Sequence, residues 1–247
     1  MYQFFVEPQQ IHVADKSVTI TGNDVNHIKN VLRMKIGEEI AVSNGQDGKE
    51  YRCGIREYTE DAVLCELRFI KEDGVELPSK IYLFQGLPKA DKMELIIQKA
   101  VELGVYQVIP VAMKRCVVKL DNKKASSKLT RWQGIAEAAA KQSKRGIIPQ
   151  ITKVMTFAQA LEYSSTAQVR LVPYELAEGM DRTREIIEQI QPGQDIAVFI
   201  GPEGGFDEAE IGKVIEAGTQ PITLGKRILR TETAGMTVLS ILMYHLE

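Results

Sequence analysis

Over the first seventy residues, apolar and polar positions alternate with a period of two, the pattern of strands that bury one face. The alternation is clearest in residues 39–43, 50–56 and 62–69, with Asn44-Gly45 and Asp47-Gly48 as turn signals between the first two. Shorter strand candidates lie at 4–6, 11–13 and 18–20. One stretch has helical spacing instead: Asn23 or Asp24 can cap a helix that carries Val25, Ile28 and Leu32 and ends before Gly37. This part predicts a small barrel. All periodicity stops at residues 71–78, where charges, Gly74 and Pro78 interrupt it, so the chain divides into residues 1–72 and 73–247.

Beyond that boundary, strands alternate with helices, which predicts crossover connections and a mainly parallel sheet of the α/β class. Residues 81–87 form a strand, followed by a helix in which Met93, Ile96, Ile97, Ala100 and Val101 stripe one face, and 105–111 form the next strand. Ser126 or Ser127 can cap a long helix through Trp132, Ala136 and Ala140, and Thr156 with Gln159 makes a capping box for another. Residues 169–173 and 196–200 are strands of the fully buried type, with a helix between them near 182–190. Asp207 with Glu210 caps the helix after them, and a short strand at 222–224 precedes a last helix over 233–245.

Composition changes this picture little: 44% hydrophobic and 26% charged residues are those of an ordinary globule. No run approaches the apolar length of a membrane span, and the N-terminus lacks the basic start and apolar stretch of a secretion signal. Cys53, Cys65 and Cys116 have no metal-site or disulfide spacing, and the first two fall in strand-like stretches where a buried, inert thiol is expected. A reducing cytoplasm fits. Charge is more informative. Residues 73–160 carry a net +8 between flanks of −3 and −7, and ten cations lie within residues 114–145 with only Asp121 and Glu137 as acids. Such a block is either a polyanion surface or a solvated helix face.

The candidate chemistry sits near the C-terminus. Strand 196–200 runs into Gly201-Pro202-Glu203-Gly204-Gly205, and about twenty residues later the turn Leu224-Gly225-Lys226-Arg227-Ile228-Leu229-Arg230-Thr231 opens the last helix. Glycine lets backbone groups approach a flat ligand without a Cβ in the way. Neither turn is a dinucleotide fingerprint or a phosphate loop, and Glu203 would repel a pyrophosphate. A cationic or neutral ligand fits better.

The two turns GPEGGF (201–206) and LGKRILRTETA (224–234), with EAAAKQSKR (137–145) and Ile148-Pro149, resemble the bacterial 16S ribosomal RNA uracil N3-methyltransferase family of the SPOUT superfamily. The resemblance covers nearly the whole chain. It implies a mainly parallel sheet with a C-terminal trefoil knot, plus a small N-terminal PUA-like, RNA-binding β-barrel in which residues 27–33 match the family's helix. It also implies S-adenosylmethionine, held bent by three strand-end loops. On matching positions these are Leu171 and Val172, then Gly201, Pro202 and Gly205, then Leu224, Ile228 and Leu229, with Ala234 opening the last helix. The implied partners are the 16S ribosomal RNA of the small subunit and a second copy of the chain in a homodimer.

Methyl transfer to uracil N3 needs alignment, loss of the N3 proton and stabilisation of charge on O2 and O4. Arg230 is the candidate for those oxygens because guanidinium offers planar, paired donors. Glu203 or Glu232 can take the proton, although loop hydrogen bonding and first-turn helix charge explain them better, and the base stays unassigned. Arg115, Lys119, Lys144 and Arg145, with Arg33 of the barrel, are the expected RNA contacts. Met236, Leu239, Ser240 and Met243 form either a dimer contact or a core stripe. Two other functions stay open: ribose 2′-O-methylation, and RNA binding without catalysis.

Overall fold

A computed structural model describes residues 1–72, 74–175, 177 and 179–247. Asp73, in the segment expected to join the domains, lies outside the described residues. The chain forms two compact units, one of Met1–Glu76 with Ala140–Ile148, the other of Leu77–Ala139 with Pro149–Glu247.

In the first unit the alternating stretches become β1 (Gln3–Phe5), β2 (Ile11–His12), β3 (Ser17–Thr21), β4 (Glu39–Ser43), β5 (Glu50–Tyr58) and β6 (Ala62–Lys71). They make a sheet in the order β1-β4-β5-β6-β3-β2, antiparallel except where β1 meets β4. Alternate residues point inward, so Ile40, Val42, Cys53, Ile55, Val63 and Cys65 form the core, closed by Ile28. Burial pushes the Cys53 and Cys65 thiols up to about 12, which keeps them protonated and inert as expected. The helix is shorter than its apolar spacing predicts. A single turn, α1 (Asn23–Asn26), passes into the wider π-helical turn His27–Val31, and Arg33 follows at φ 53°.

Residues 140–148 join this unit through contacts centred on one carboxylate. Glu76 pairs with the Arg145 guanidinium and accepts the backbone N–H groups of Gly146 at 3.0 Å and Ile147 at 3.1 Å. Gln3 Nε2 donates to the Arg145 carbonyl at 2.7 Å. A Cβ on Gly146 would lie 2.5 Å from the Gly48 carbonyl oxygen, so no larger residue fits. The expectation that Arg145 meets RNA is thereby corrected: its side chain is buried and ion-paired. Its neighbour Lys144, exposed at φ 59°, is the outward-facing cation of this segment.

The second unit follows the alternation of strands and helices. It runs β7 (Ile81–Gly86), α2 (Lys92–Glu102), β8 (Gln107–Ala112), α3 (Asn122–Gln142), β9 (Gln150–Ile151), β10 (Met155–Thr156), α4 (Phe157–Ser164), β11 (Val169–Pro173), α5 (Met180–Glu188), β12 (Ile196–Ile200), α6 (Glu208–Glu216), β13 (Gln220–Ile222) and α7 (Thr231–Leu246). The last residues of α3 group with the first unit. All pairings are parallel, in the order β10-β8-β7-β12-β11-β13 with β9 also on β8. Every residue of β12 is buried, as a central parallel strand requires, and Phe199 stacks on Phe84 at 4.5 Å.

Both predicted capping boxes form, Thr156 with Gln159 and Asp207 with Glu210. α3 starts a turn before Ser126, because the Asp121 carboxylate accepts the Lys124 N–H at 2.8 Å. α7 starts two residues early, at Thr231. Of its expected partner-facing residues, Leu239 is buried with Val238, Leu242 and Leu246 in the chain's own core. From β13 at the sheet's edge the chain returns to its middle, where α7 packs on α2.

Candidate functional site

Ligands of open parallel sheets bind beyond the carboxyl ends of the strands, where chain direction across the sheet reverses. Here the ends of β11, β12 and β13 and the start of α7 enclose a cleft of about 770 Å³. The two turns singled out by sequence both form walls of it, Gly201 to Phe206 and Leu224 to Arg230.

The first turn is held from several directions. The Gly205 N–H donates to the Pro202 carbonyl at 2.9 Å, with Gly205 at φ 67°, a conformation that favours glycine. Arg115 Nη1 donates to the Gly204 carbonyl at 3.1 Å, and Pro202 packs so closely on Gly86 that a Cβ there would lie 2.7 Å from the Pro202 nitrogen. The connection after β8 is fastened to the same wall. Lys114 Nζ pairs with Asp207 at 3.0 Å, and the Lys114 N–H donates to Glu210 at 2.8 Å.

Glu203 is the charged group of this turn. Its Oε1 accepts the Lys89 N–H at 3.0 Å and meets Lys92 Nζ at 3.1 Å. Partial burial, the largest single influence, pushes its carboxyl up. The Lys89 N–H, its own N–H and the Lys92 ammonium together outweigh that and hold it below the usual carboxylate range. Lys92 also reaches Glu232 at 3.4 Å, too long for a well-formed hydrogen bond, and among the described residues the buried Glu232 Oε2 has no other partner. A carboxylate stabilised in this way has less affinity for a proton, the reverse of what a base acting on a weakly acidic N–H requires. Glu203 therefore acts as a fixed negative charge.

The second turn is anchored mainly at its root. Thr183, buried in α5, accepts the Thr223 N–H at 2.9 Å and donates to the Thr223 carbonyl at 3.2 Å. Past Gly225, at φ 114°, the residues Lys226, Arg227, Ile228 and Arg230 are exposed, Ile228 with 85% of its surface open. Arg230 is the N-cap residue of α7, and among the described residues its side chain has no hydrogen bond or ion pair. Cations outnumber carboxylates on the described lining, five to three, so the cleft attracts a polyanion while Glu203 provides a local negative site.

Of the positions expected to hold a ligand, Gly201, Pro202, Gly205, Leu224, Ile228, Leu229 and Ala234 all line the cleft, as do Glu203 and Arg230. Leu171 and Val172 do not. They are fully buried inside β11, and the wall on that side begins at Pro173 and Tyr174, whose N–H is tied to the Ile222 carbonyl at 2.9 Å. The loop contribution is thus shifted two residues toward the strand's end. Arg115 also lines the cleft and Lys119 is exposed nearby in sequence, whereas Arg33 and Lys144 are exposed on the other unit. Sequence reasoning missed Lys92 and Thr183. Nothing local marks either, since each acts on a partner in a distant loop.

Residues 75–243 match the RNA methyltransferase domain family and residues 20–68 the RNA methyltransferase PUA domain family. A Bacillus subtilis (strain 168) protein named Ribosomal RNA small subunit methyltransferase E is 40% identical over 252 aligned residues, covering 100% of this chain and 98% of the relative. A protein of the same name from Mesomycoplasma hyopneumoniae (strain 232) is 35% identical over 97% of this chain and 98% of its own. Among solved structures, a Ribosomal RNA small subunit methyltransferase E from Neisseria gonorrhoeae bound to S-adenosyl methionine has a TM-score of 0.82 at 32% identity, over 97% of this chain and 95% of that one.

Proposed function

Because the chain belongs to the RNA methyltransferase family, we propose that it transfers a methyl group from S-adenosylmethionine to N3 of a uracil in the 16S ribosomal RNA of the small subunit. The observation that carries this reading is the convergence of two glycine-bearing turns on one cleft. Its volume of about 770 Å³ is that of a small-molecule site. Gly205 and Gly225, where a Cβ would meet nothing within 4 Å, keep its walls open to close approach, and the ionised Glu203 complements a sulfonium cation. The residues present therefore fit the donor, which supplies an electrophilic methyl carbon when bound.

The chain's own residues supply binding and electrostatics. Backbone N–H and C=O groups of residues 201–205 and 224–229 grip the donor, and Ile228 and Leu229 offer apolar surface to its ring. Arg230, exposed and without a partner among the described residues, donates to uracil O2 and O4 as negative charge spreads onto them. Glu203 keeps its charge and orders the loop, so N3 gives up its proton to solvent or to another group. Lys226 and Arg227, with Lys119, Arg33 and Lys144, contact phosphates, which positions the RNA and makes binding salt-dependent. The target base must leave its stack to enter the cleft. The enzyme works in the cytoplasm, where its substrate is. It does so as a homodimer, with Tyr244 of α7, 87% exposed, among the contacts.

The test is methylation of small subunits from cells lacking this protein, with mass mapping of the product. A single uracil gaining a methyl on its base is expected. A methyl on ribose favours the 2′-O reading, and no transfer with intact RNA binding favours the non-catalytic one. In the same assay Arg230→Ala slows transfer on the order of a hundredfold while leaving donor affinity nearly unchanged; equal losses in both remove Arg230 from the chemistry.

A further inference from the structure

Three segments that shape the cleft meet at one buried hydroxyl. Thr231, the first residue of α7, donates from Oγ1 to the Gly201 carbonyl at 2.6 Å and accepts from Gln85 Nε2 at 2.9 Å. Gln85, fully buried at the end of β7, uses the same nitrogen to reach the Gly86 carbonyl at 3.0 Å. Among the described residues its Oε1 has no partner, so these two bonds orient the amide. Gly86 in turn touches Pro202 of the first turn. The hydroxyl thus links β7, the glycine turn after β12 and the end of the cationic turn before α7.

We infer that Thr231 is a positioning residue for methyl transfer: its hydroxyl sets the separation of the two turns and, through the helix start it occupies, the aim of the adjacent Arg230. The inference rests on the reading of the cleft as a methyl-donor site. Arg230 has the extended backbone of an N-cap residue (φ −66°, ψ 155°), so its direction depends on where α7 begins. Without the hydroxyl, the half-buried Gly201 carbonyl and one N–H of the fully buried Gln85 lose their partner, and each such loss favours a rearranged turn. Thr231 borders the cleft, but its hydroxyl is committed to Gly201 and Gln85. It acts through Gly201 and Arg230.

The test compares Thr231→Val, which keeps the shape and removes the hydroxyl, with Thr231→Ser, which keeps the hydroxyl. Calorimetric titration with S-adenosylmethionine is expected to give a dissociation constant raised on the order of tenfold for the valine variant, with kcat lowered as well, and most of both recovered by serine. Amide hydrogen exchange of the unliganded protein supplies a readout independent of the donor: residues 201–206 should exchange faster in Thr231→Val, while β5 and β6 do not. A variant with wild-type exchange and affinity overturns the inference. If wild type itself fails to bind the donor, the functional reading falls, and the exchange comparison still decides whether the hydroxyl holds the turns together. Should Thr231→Val not fold, Thr231→Ala removes the same hydroxyl with less bulk and is read identically.

Discussion

The two walls of the cleft are built on different principles. The glycine turn at 201–206 is gripped by Arg115, the Lys89 N–H, Lys92, Thr231 and the contact of Pro202 with Gly86. The turn at 224–230 is fixed at its root by Thr183 and at its end by Thr231, and between them it exposes Lys226, Arg227 and Ile228. One wall is formed before any ligand arrives. The other has few internal contacts to lose, the character of low-stability segments at binding sites.

The comparison breaks most sharply at Gly86. A Cβ there meets the Pro202 nitrogen at 2.7 Å, Pro202 Cδ at 2.8 Å and Met113 Sδ at 3.0 Å, and two of these belong to a fixed part of the chain. Gly86→Ala is expected to destabilise the protein by about 2 kcal/mol in urea unfolding and to abolish donor binding. Gly225→Ala offers the contrast. Its Cβ would meet nothing within 4 Å, and only the left-handed φ of 114° opposes it, at about 1 kcal/mol. If the two variants cost the same, the walls do not differ in rigidity.

This difference was only half legible in the sequence. The GPEGGF and LGKRILRTETA turns could be read because their chemistry is local, and so could the caps of α4 and α6, in which each partner lies three residues from the other. What holds the first wall could not be read. Gln85 and Thr231 are 146 residues apart, and Lys89 and Glu203 are 114 apart, with no periodicity to link them. Arg145 teaches the same lesson from the other side. A sequence counts its charge with the basic block, but Glu76, 69 residues away, buries it, while Lys144 beside it remains in solvent. Leu171 and Val172 matched by position, yet both lie inside the strand, and the lining begins only at its last residue, Pro173.

Glu203 sharpens the comparison through pH. Its folded carboxyl is held below the ordinary value of 4.5, so its contribution to stability is fully present above that value. The contribution is lost as pH falls through the lower, folded value. Thermal melts from neutral pH to pH 3 should therefore show a decline in wild type that is shallower in Glu203→Gln, because the glutamine cannot titrate. An unchanged acid limb would mean that Lys89 and Lys92 do not hold this turn.

The smallest expected change in stability is the most discriminating. Ile228 has 85% of its surface exposed, so in the unliganded protein almost none of its apolar area has been removed from water. Replacing it by serine should alter unfolding free energy by less than about 0.5 kcal/mol, the usual range for a surface site. If the loose wall closes on the donor, that area becomes buried only in the complex. Its loss then appears in binding alone, at about 1 kcal/mol for partial burial of the side chain. Ile228→Ser should accordingly leave the melting temperature in place while weakening donor affinity several-fold. A variant that melts early without losing affinity would place Ile228 among the chain's own packing contacts and make the second wall as preformed as the first.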